Sequence, residues 1–325
     1  MENVFEIFEK IRNLKFDCDG LMTVEEIPGV LEHKIGVSEN GLPVFFIKTK
    51  DKTGTANDIN LNLIKVEYQK SCELIINGGE KSVGIYSIVY LKSTSEDMIK
   101  YFINTVFYLI SQLDFNPSFI QIKEELSNLI NLFRGLSRPA LKTIQGLWSE
   151  LLIIEQGIDL PFLINSWHQN INERYDFNDG KDKIEVKSTS RSSRIHSFSL
   201  EQLTELNNGL VLVASIFCIE TGNGVSVEEL MKKIEKKVKS PELMFKINKI
   251  VAETMGVDIE RIYDTYFDYS VALNSICYYD VKDIPKIDVK FVPMEISNIK
   301  FDSNLTNVAV YNNSNVSKLT NAIFY

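Results

Sequence analysis

Residues 174–189 read RYDFNDGKDKIEVKST, and the fold turns on this stretch. It places Asp176, then eight residues, then Glu185-Val186-Lys187. RYDF and KIEVKST read as strands, and Asp179-Gly180 supplies turn chemistry for a hairpin between them. Side chains at i and i+2 of a strand share a face. Glu185 and Lys187 therefore project together, and Asp176 can converge on them from the adjoining strand.

Those three residue types suit metal-assisted hydrolysis of a phosphodiester. Carboxylate oxygens hold a hard divalent cation such as Mg2+. The cation lowers the pKa of a bound water and stabilises charge growing on the phosphate. A lysine beside it orients the water or steadies the developing oxyanion. Spacing alone is weak evidence, because Asp280 precedes Asp288-Val289-Lys290 in the same way. Glu-x-Lys also recurs at Glu32-His33-Lys34 and Glu235-Lys236-Lys237.

Context separates the candidates. The Asp176 set follows a helical stretch, LKTIQGLWSELLIIEQG, which carries Glu150 and is closed by Gly157. It precedes SLEQLTELNNG, a short helix with Ser199 as cap, and the buried strand LVLVASIFCIE. Strands alternating with helices suggest an α/β core. The Asp280 set lies in an aromatic tail containing Pro285 with no such order after it.

Farther out, residues 1–13 fit a helix and 41–93 a β-rich module. Two helices follow, the first capped by Thr94 or Ser95 and running to about Leu113, the second over about Pro117–Phe133. Residues 226–256 look helical and carry Lys232, Lys233, Lys236, Lys237 and Lys239, a run read as the wet face of an amphipathic helix. From about Tyr263 the chain looks strand-rich, notably at KIDVKFVPMEI. The expectation is an α+β protein in four parts: a β-rich module over 1–94, a helical connector over 95–137, the core over 138–222, and a helical plus strand-rich region over 223–325.

The chain has 325 residues, of which 44% are hydrophobic and 24% charged, enough to build a sizeable core. Its formal charge is −9, so any nucleic-acid contact has to be local, metal-assisted or shared with a partner. No apolar run approaches the roughly 18–20 residues of a membrane span. The acidic, amphipathic N-terminus is unlike a secretory leader. Cys18, Cys72, Cys218 and Cys277 are scattered, with no zinc spacing, and read as reduced thiols of a cytoplasmic protein.

GLWSELLIIEQG, SWHQNINERYDFNDGKDKIEVKST and IHSFSLEQL together resemble bacterial PD-(D/E)XK motif proteins, whose genes often neighbour restriction or phage-defence genes. The resemblance covers about residues 138–205. It implies the α-β-β-β-α-β core of restriction-endonuclease-like enzymes. It also implies that Asp176, Glu185 and Lys187 are the motif residues and that Glu150 is the acid of the first core helix. Tyr175 stands where the motif's name has Pro, a turn residue and not a ligand. Gln202 follows the motif, without the Tyr that accompanies such a Gln in exonuclease-like relatives.

The expected activity is Mg2+-dependent hydrolysis of DNA, with Mn2+ able to substitute. Asp176 and Glu185 would bind the metal, Lys187 would position water, and Glu150 would support either. Ser188, Thr189, Arg191 and Arg194 are candidates for phosphate contact. Solvated loop arginines are the plain alternative for the last two. His168, beside Trp167, reads as structural, and His196 as loop chemistry, with a phosphate or active-site role the lesser alternative. Duplex cleavage usually takes two sites, which points to a homodimer or a multi-protein assembly. The rival functions are a non-catalytic scaffold on a retained nuclease fold and an RNA-directed nuclease.

Overall fold

Alternating apolar residues make a sheet of the N-terminal part. In the computed structural model the described residues are 3–13, 23–30, 32–76, 79–168, 173–203, 209–312 and 318–324. Cys18, most of the turn Asn77-Gly78-Gly79 and the end of SLEQLTELNNG lie outside them. Contacts divide the chain into two units, one of residues 1–139 and 240–252, the other of 140–239 and 253–325.

In the first unit, α1 (Val4–Arg12) is capped by Asn3 in a reciprocal capping box with Glu6. The strands are β1 (Thr23–Glu26), β2 (Lys34–Val37), β3 (Pro43–Lys48), β4 (Ile59–Asn60), β5 (Ile64–Ile76) and β6 (Glu80–Leu91). They pair in the order β1-β2-β3-β6-β5-β4. Val24 of β1 also pairs in parallel with Ile76 of β5, closing five strands into a ring. Inward positions such as Val24, Val44, Phe46, Leu74, Tyr86 and Ile88 form its core. Ser95 caps α2 (Glu96–Ile110), with Glu96 and Asp97 in the first turn, where acids oppose the helix dipole. Ser118 caps α3 (Phe119–Gly135). The Phe102 ring of α2 meets Phe45 of β3 edge-on at 5.7 Å. The Tyr101 hydroxyl donates to the Asn248 carbonyl at 2.8 Å, which ties residues 240–252 into this unit.

The second unit opens with α4 (Ile144–Gln156), capped by Thr143, and α5 (Leu160–Ser166). From Leu147 to Glu155 every residue of α4 is buried, Glu150 included. Gly157 ends it where a Cβ would lie 2.1 Å from Leu163 Cδ1, so the close return of the chain requires glycine. Next come β7 (Phe177–Asn178), β8 (Lys183–Thr189), β9 (Ile195–Ser199) and, after a 3-10 turn over Leu200–Leu203, β10 (Val211–Phe217). Then follow β11 (Glu220–Thr221), β12 (Val225–Ser226) and α6 (Val227–Lys237), after which α7 (Pro241–Met255) belongs to the first unit as far as Ala252. The chain continues through α8 (Arg261–Asp264), β13 (Tyr266–Phe267), α9 (Tyr269–Ser275), β14 (Cys277–Asp280), β15 (Lys300–Asn304) and α10 (Lys318–Phe324).

The main sheet runs β14-β10-β8-β7. β8 and β10 are parallel, with Glu185 opposite Val213 and Lys187 opposite Ser215. β7 and β14 are antiparallel to their neighbours. β9 pairs outside this sheet, with β15. The chain is α+β, as its sequence pattern implies.

Three local expectations are corrected. The strand read at RYDF is only Phe177–Asn178, because the Asp176 carbonyl accepts from His168 N instead. The helix read after Ser199 is a 3-10 turn over its described part. KIDVKFVPMEI makes no strand, only a 3-10 turn at Val289–Phe291, and leaves Phe291 and Met294 exposed. Pro285 and Pro293 flank that turn and lack the N–H donors a ladder needs. Among the described residues no helix is long and apolar enough to cross a membrane.

Candidate active site

The site is built from three segments that the sheet and α4 hold together. The first is the approach to α4 with α4 itself, bringing Lys142 and Glu150. The second is the chain reversal at Trp167–His168, whose Trp167 makes an isolated antiparallel bridge with Phe177. His168 adopts φ 34° there, a left-handed backbone that non-glycine residues take at a cost. The third is the β7–β8 hairpin, bringing Asp176, Glu185 and Lys187.

Glu150, His168 and Asp176 each aim one ligand-type atom at a common point, all within 4.8 Å of one another. His168 Nε2 lies 2.9 Å from Glu150 Oε2 and 3.5 Å from Asp176 Oδ1. Trp167 Nε1 donates to Glu150 Oε2 at 2.8 Å. Asp176 Oδ2 accepts from Val186 N at 2.8 Å, which locks that carboxylate against β8. Lys142 Nζ stands between the acids, 2.7 Å from Glu150 Oε1 and 2.6 Å from Asp176 Oδ1.

One step along β8, Glu185 Oε1 pairs with Lys187 Nζ at 2.8 Å and accepts from Gln202 Nε2 at 2.6 Å. Gln202 Oε1 in turn accepts from Ser199 N, so the 3-10 turn orients the amide. Glu185 Oε2 is buried and has no hydrogen-bond partner among the described residues. A buried carboxylate oxygen without a donor is costly.

Charge follows this geometry. Burial works to raise the Glu150 carboxyl, but Lys142 and His168 outweigh it and hold the group at about 2. Asp176 is raised, first by burial and then by the negative Glu150 beside it. Glu185 is pushed up to about 8 by burial and by Asp176, against the pull of Lys187. Burial opposes the Lys142 ammonium, yet Glu150 and Asp176 raise it above an ordinary lysine. Neighbouring acids forced to share cations in this way titrate as a set.

The residues present fit a divalent cation. Lys142 already puts a positive charge against Glu150 and Asp176, and the unpartnered Glu185 Oε2 is a free acceptor nearby. Two carboxylates and an imidazole form a mixed oxygen–nitrogen set. Mn2+ suits such a set as well as Mg2+ does, or better, since Mg2+ favours oxygen throughout.

Of the residues singled out in the sequence, Asp176, Glu185, Lys187 and Glu150 come together here. Ser188 Oγ accepts from Gln145 Nε2 at 3.1 Å, and Thr189 is buried with Oγ1 accepting from Arg191 N. Arg191 is exposed just past the end of β8. Arg194 corrects the expectation of a phosphate contact. It is buried, donating to the carbonyls of Ser215 (2.7 Å) and Ser275 (2.5 Å) and to Ser215 Oγ, with its guanidinium 4.4 Å from the Phe217 ring centre.

His196 is also buried, at hydrogen-bond distance from Ser215 Oγ, and burial lowers it to about 4. His168, read as structural in the sequence, brings its Nε2 to 2.9 Å from Glu150 Oε2 and 3.5 Å from Asp176 Oδ1. The lysine run behaves as expected: Lys232 pairs with Glu228, and Lys237 with Glu155. Asp288-Val289-Lys290 forms a 3-10 turn, so its acid and lysine do not share a strand face.

The pattern missed Lys142 and left Gln202 without a role. Lys142 reaches Glu150, 8 positions on, and Asp176, 34 positions on, while Gln202 reaches back 17 positions to Glu185, and no helix or strand period covers the two longer reaches.

A family model described as "Putative PD-(D/E)XK family member, (DUF4420)" matches residues 26–306. No curated protein and no solved structure matches the chain.

Proposed function

Because the chain belongs to this PD-(D/E)XK family, we propose that it is a metal-dependent nuclease acting on DNA, with its active centre at Glu150, His168, Asp176, Glu185 and Lys187. The observation carrying this reading is the meeting of a buried Glu-His-Asp set with the Glu185–Lys187 pair across the single residue Val186. Burial of this many ionisable groups is expensive and is characteristic of reactive centres.

In the proposed reaction a water oxygen gives up a proton to solvent and bonds to phosphorus, and the leaving oxygen departs with the pair of its broken phosphorus bond and takes a proton from solvent. Glu150, His168, Asp176 and Glu185 would hold Mg2+ or Mn2+, which supplies a lowered pKa for water and charge neutralisation at the phosphate. Lys187 donates to the attacking water or to a non-bridging phosphate oxygen. Gln202 fixes Glu185 Oε1 so that Oε2 faces the site. Val186 N and His168 N hold Asp176 through its side chain and carbonyl. Arg191, on the exposed side of the strand end, engages a flanking phosphate and contributes to salt-dependent binding.

The test is cleavage of supercoiled and linear DNA in Mg2+ or Mn2+ by the full chain and by Asp176→Asn and Lys187→Met. Each variant is checked by circular dichroism. Metal-dependent cleavage lost in both variants is expected. Equal cleavage by all three proteins would remove the activity from this site. RNA run in parallel decides the substrate.

A further inference from the structure

We propose that Lys142 is a resident cation of this site. Its ammonium group holds Glu150, His168 and Asp176 in place, and it has to swing out before a divalent ion binds. The inference rests on reading those three residues as metal ligands.

The argument is one of shared atoms. Lys142 Nζ has three N–H donors, and it lies 2.7 Å from Glu150 Oε1, 2.6 Å from Asp176 Oδ1 and 3.1 Å from His168 Nε2. These are the same three residues whose ligand atoms converge. Nε2 of His168 also stands 2.9 Å from Glu150 Oε2, a carboxylate oxygen that can only accept, so the two carboxylate oxygens carry the competition: each gives Lys142 the electron pair a metal would take. Two positive groups at such range in a buried pocket also repel strongly. Lys142 and a divalent ion therefore compete for one place.

The chain gives Lys142 somewhere to go. It lies ahead of the Thr143 cap, outside the rigid turns of α4. Its side chain is 30% exposed, whereas those of Glu150 and Asp176 are 4% and 7% exposed. A swing of the long side chain toward that open side frees both carboxylate oxygens and moves no backbone. Lys187 occupies a different position, against Glu185 and Gln202 and 5.3 Å from the Phe198 ring centre. Lys142 is thus a positioning residue, distinct from the lysine assigned to the water.

Two measurements test this on the full chain. The first is Mn2+ affinity, from the paramagnetic resonance of free Mn2+, for wild type, Lys142→Met and Asp176→Asn. Lys142→Met is expected to bind at least tenfold more tightly than wild type, and Asp176→Asn more weakly. The second needs no variant at position 142. Amine-directed labelling of Lys142, read by mass spectrometry, is expected to rise several-fold when Mn2+ is added to wild type and to stay flat in Asp176→Asn. If wild type binds Mn2+ but labelling of Lys142 does not rise, or Lys142→Met binds no more tightly, the displacement idea is wrong and the metal site stands. If neither wild type nor Lys142→Met binds Mn2+, the site reading and the inference fail together.

Discussion

Arg194 separates a structural role from a nucleic-acid role more sharply than any other residue. Its guanidinium donates to the carbonyls of Ser215 and Ser275 and lies 4.4 Å from the Phe217 ring centre, with no carboxylate partner among the described residues. Arg194→Met keeps most of the packing over Phe217 and removes every donor. Two buried carbonyls then lose a partner, at about 1–3 kcal/mol each. Ser215 Oγ keeps His196. Removing a buried cation that has no counter-ion also relieves its own desolvation cost, so the expected net loss is about 2–3 kcal/mol. In urea, with a slope of about 3 kcal/mol/M, the midpoint should fall by roughly 0.7–1 M with the slope unchanged. DNA affinity of the folded variant should stay at the wild-type level. An unchanged midpoint combined with lost DNA affinity would show that Arg194 faces the nucleic acid and would falsify the buried assignment.

Arg191→Ala should do the reverse, leaving the urea midpoint alone and weakening DNA binding with a shallower salt dependence in a filter or anisotropy titration. Gln202→Ala removes the donor to Glu185 Oε1, and a fall of about 10–100-fold in metal affinity or cleavage rate is expected, measured by Mn2+ titration and initial rates. For Glu185, the folded pKa of about 8 lies above the unfolded carboxyl's, so this group's stabilising contribution is full below about pH 4.5 and is lost as pH rises through 8. In chelator-treated buffer Glu185→Gln should therefore melt higher than wild type at pH 8.5, with little difference at pH 4.5. An equal gap at both values would mean that burial is not what moves this group. Lys187→Met should lower the single-turnover cleavage rate by about 10²–10³-fold, the scale of losing one charge-stabilising donor, with Mn2+ affinity changed far less.

Much of this was legible where local pattern and tertiary demand agree. KIEVKST is β8 over the same residues, because its alternation matches a strand with Glu185 and Lys187 on one face. Ser95 caps α2 as a serine ahead of two acids suggests. Glu150 reads as either an exposed helix charge or a site acid, and only the burial of α4 from Leu147 to Glu155 removes the first. Lys142 and His168 were not legible, since their meeting depends on the bridge between Trp167 and Phe177 and on how α4 lies against β8. Arg194 sits in the polar run Arg191-Ser192-Ser193-Arg194, where nothing local distinguishes the buried arginine from the exposed one. What decides it is the set of acceptors offered by Ser215 and Ser275.

The N-terminal unit draws on residues 240–252, to which the Tyr101 hydroxyl is tied through Asn248. On a ribosome this makes its completion late. The strands and helices up to residue 139 emerge first, and about a hundred further residues must then be made before their last partner exists. At about 5–20 residues per second that interval is on the order of ten seconds. Throughout it the first unit is without residues 240–252, while α4 and β7 to β10 are made one after another. Each unit thus waits for a segment made after part of the other, residues 240–252 for the first and 253–325, with β14, for the second, and that wait is when a chaperone or a neighbouring nascent chain has its best access to the first.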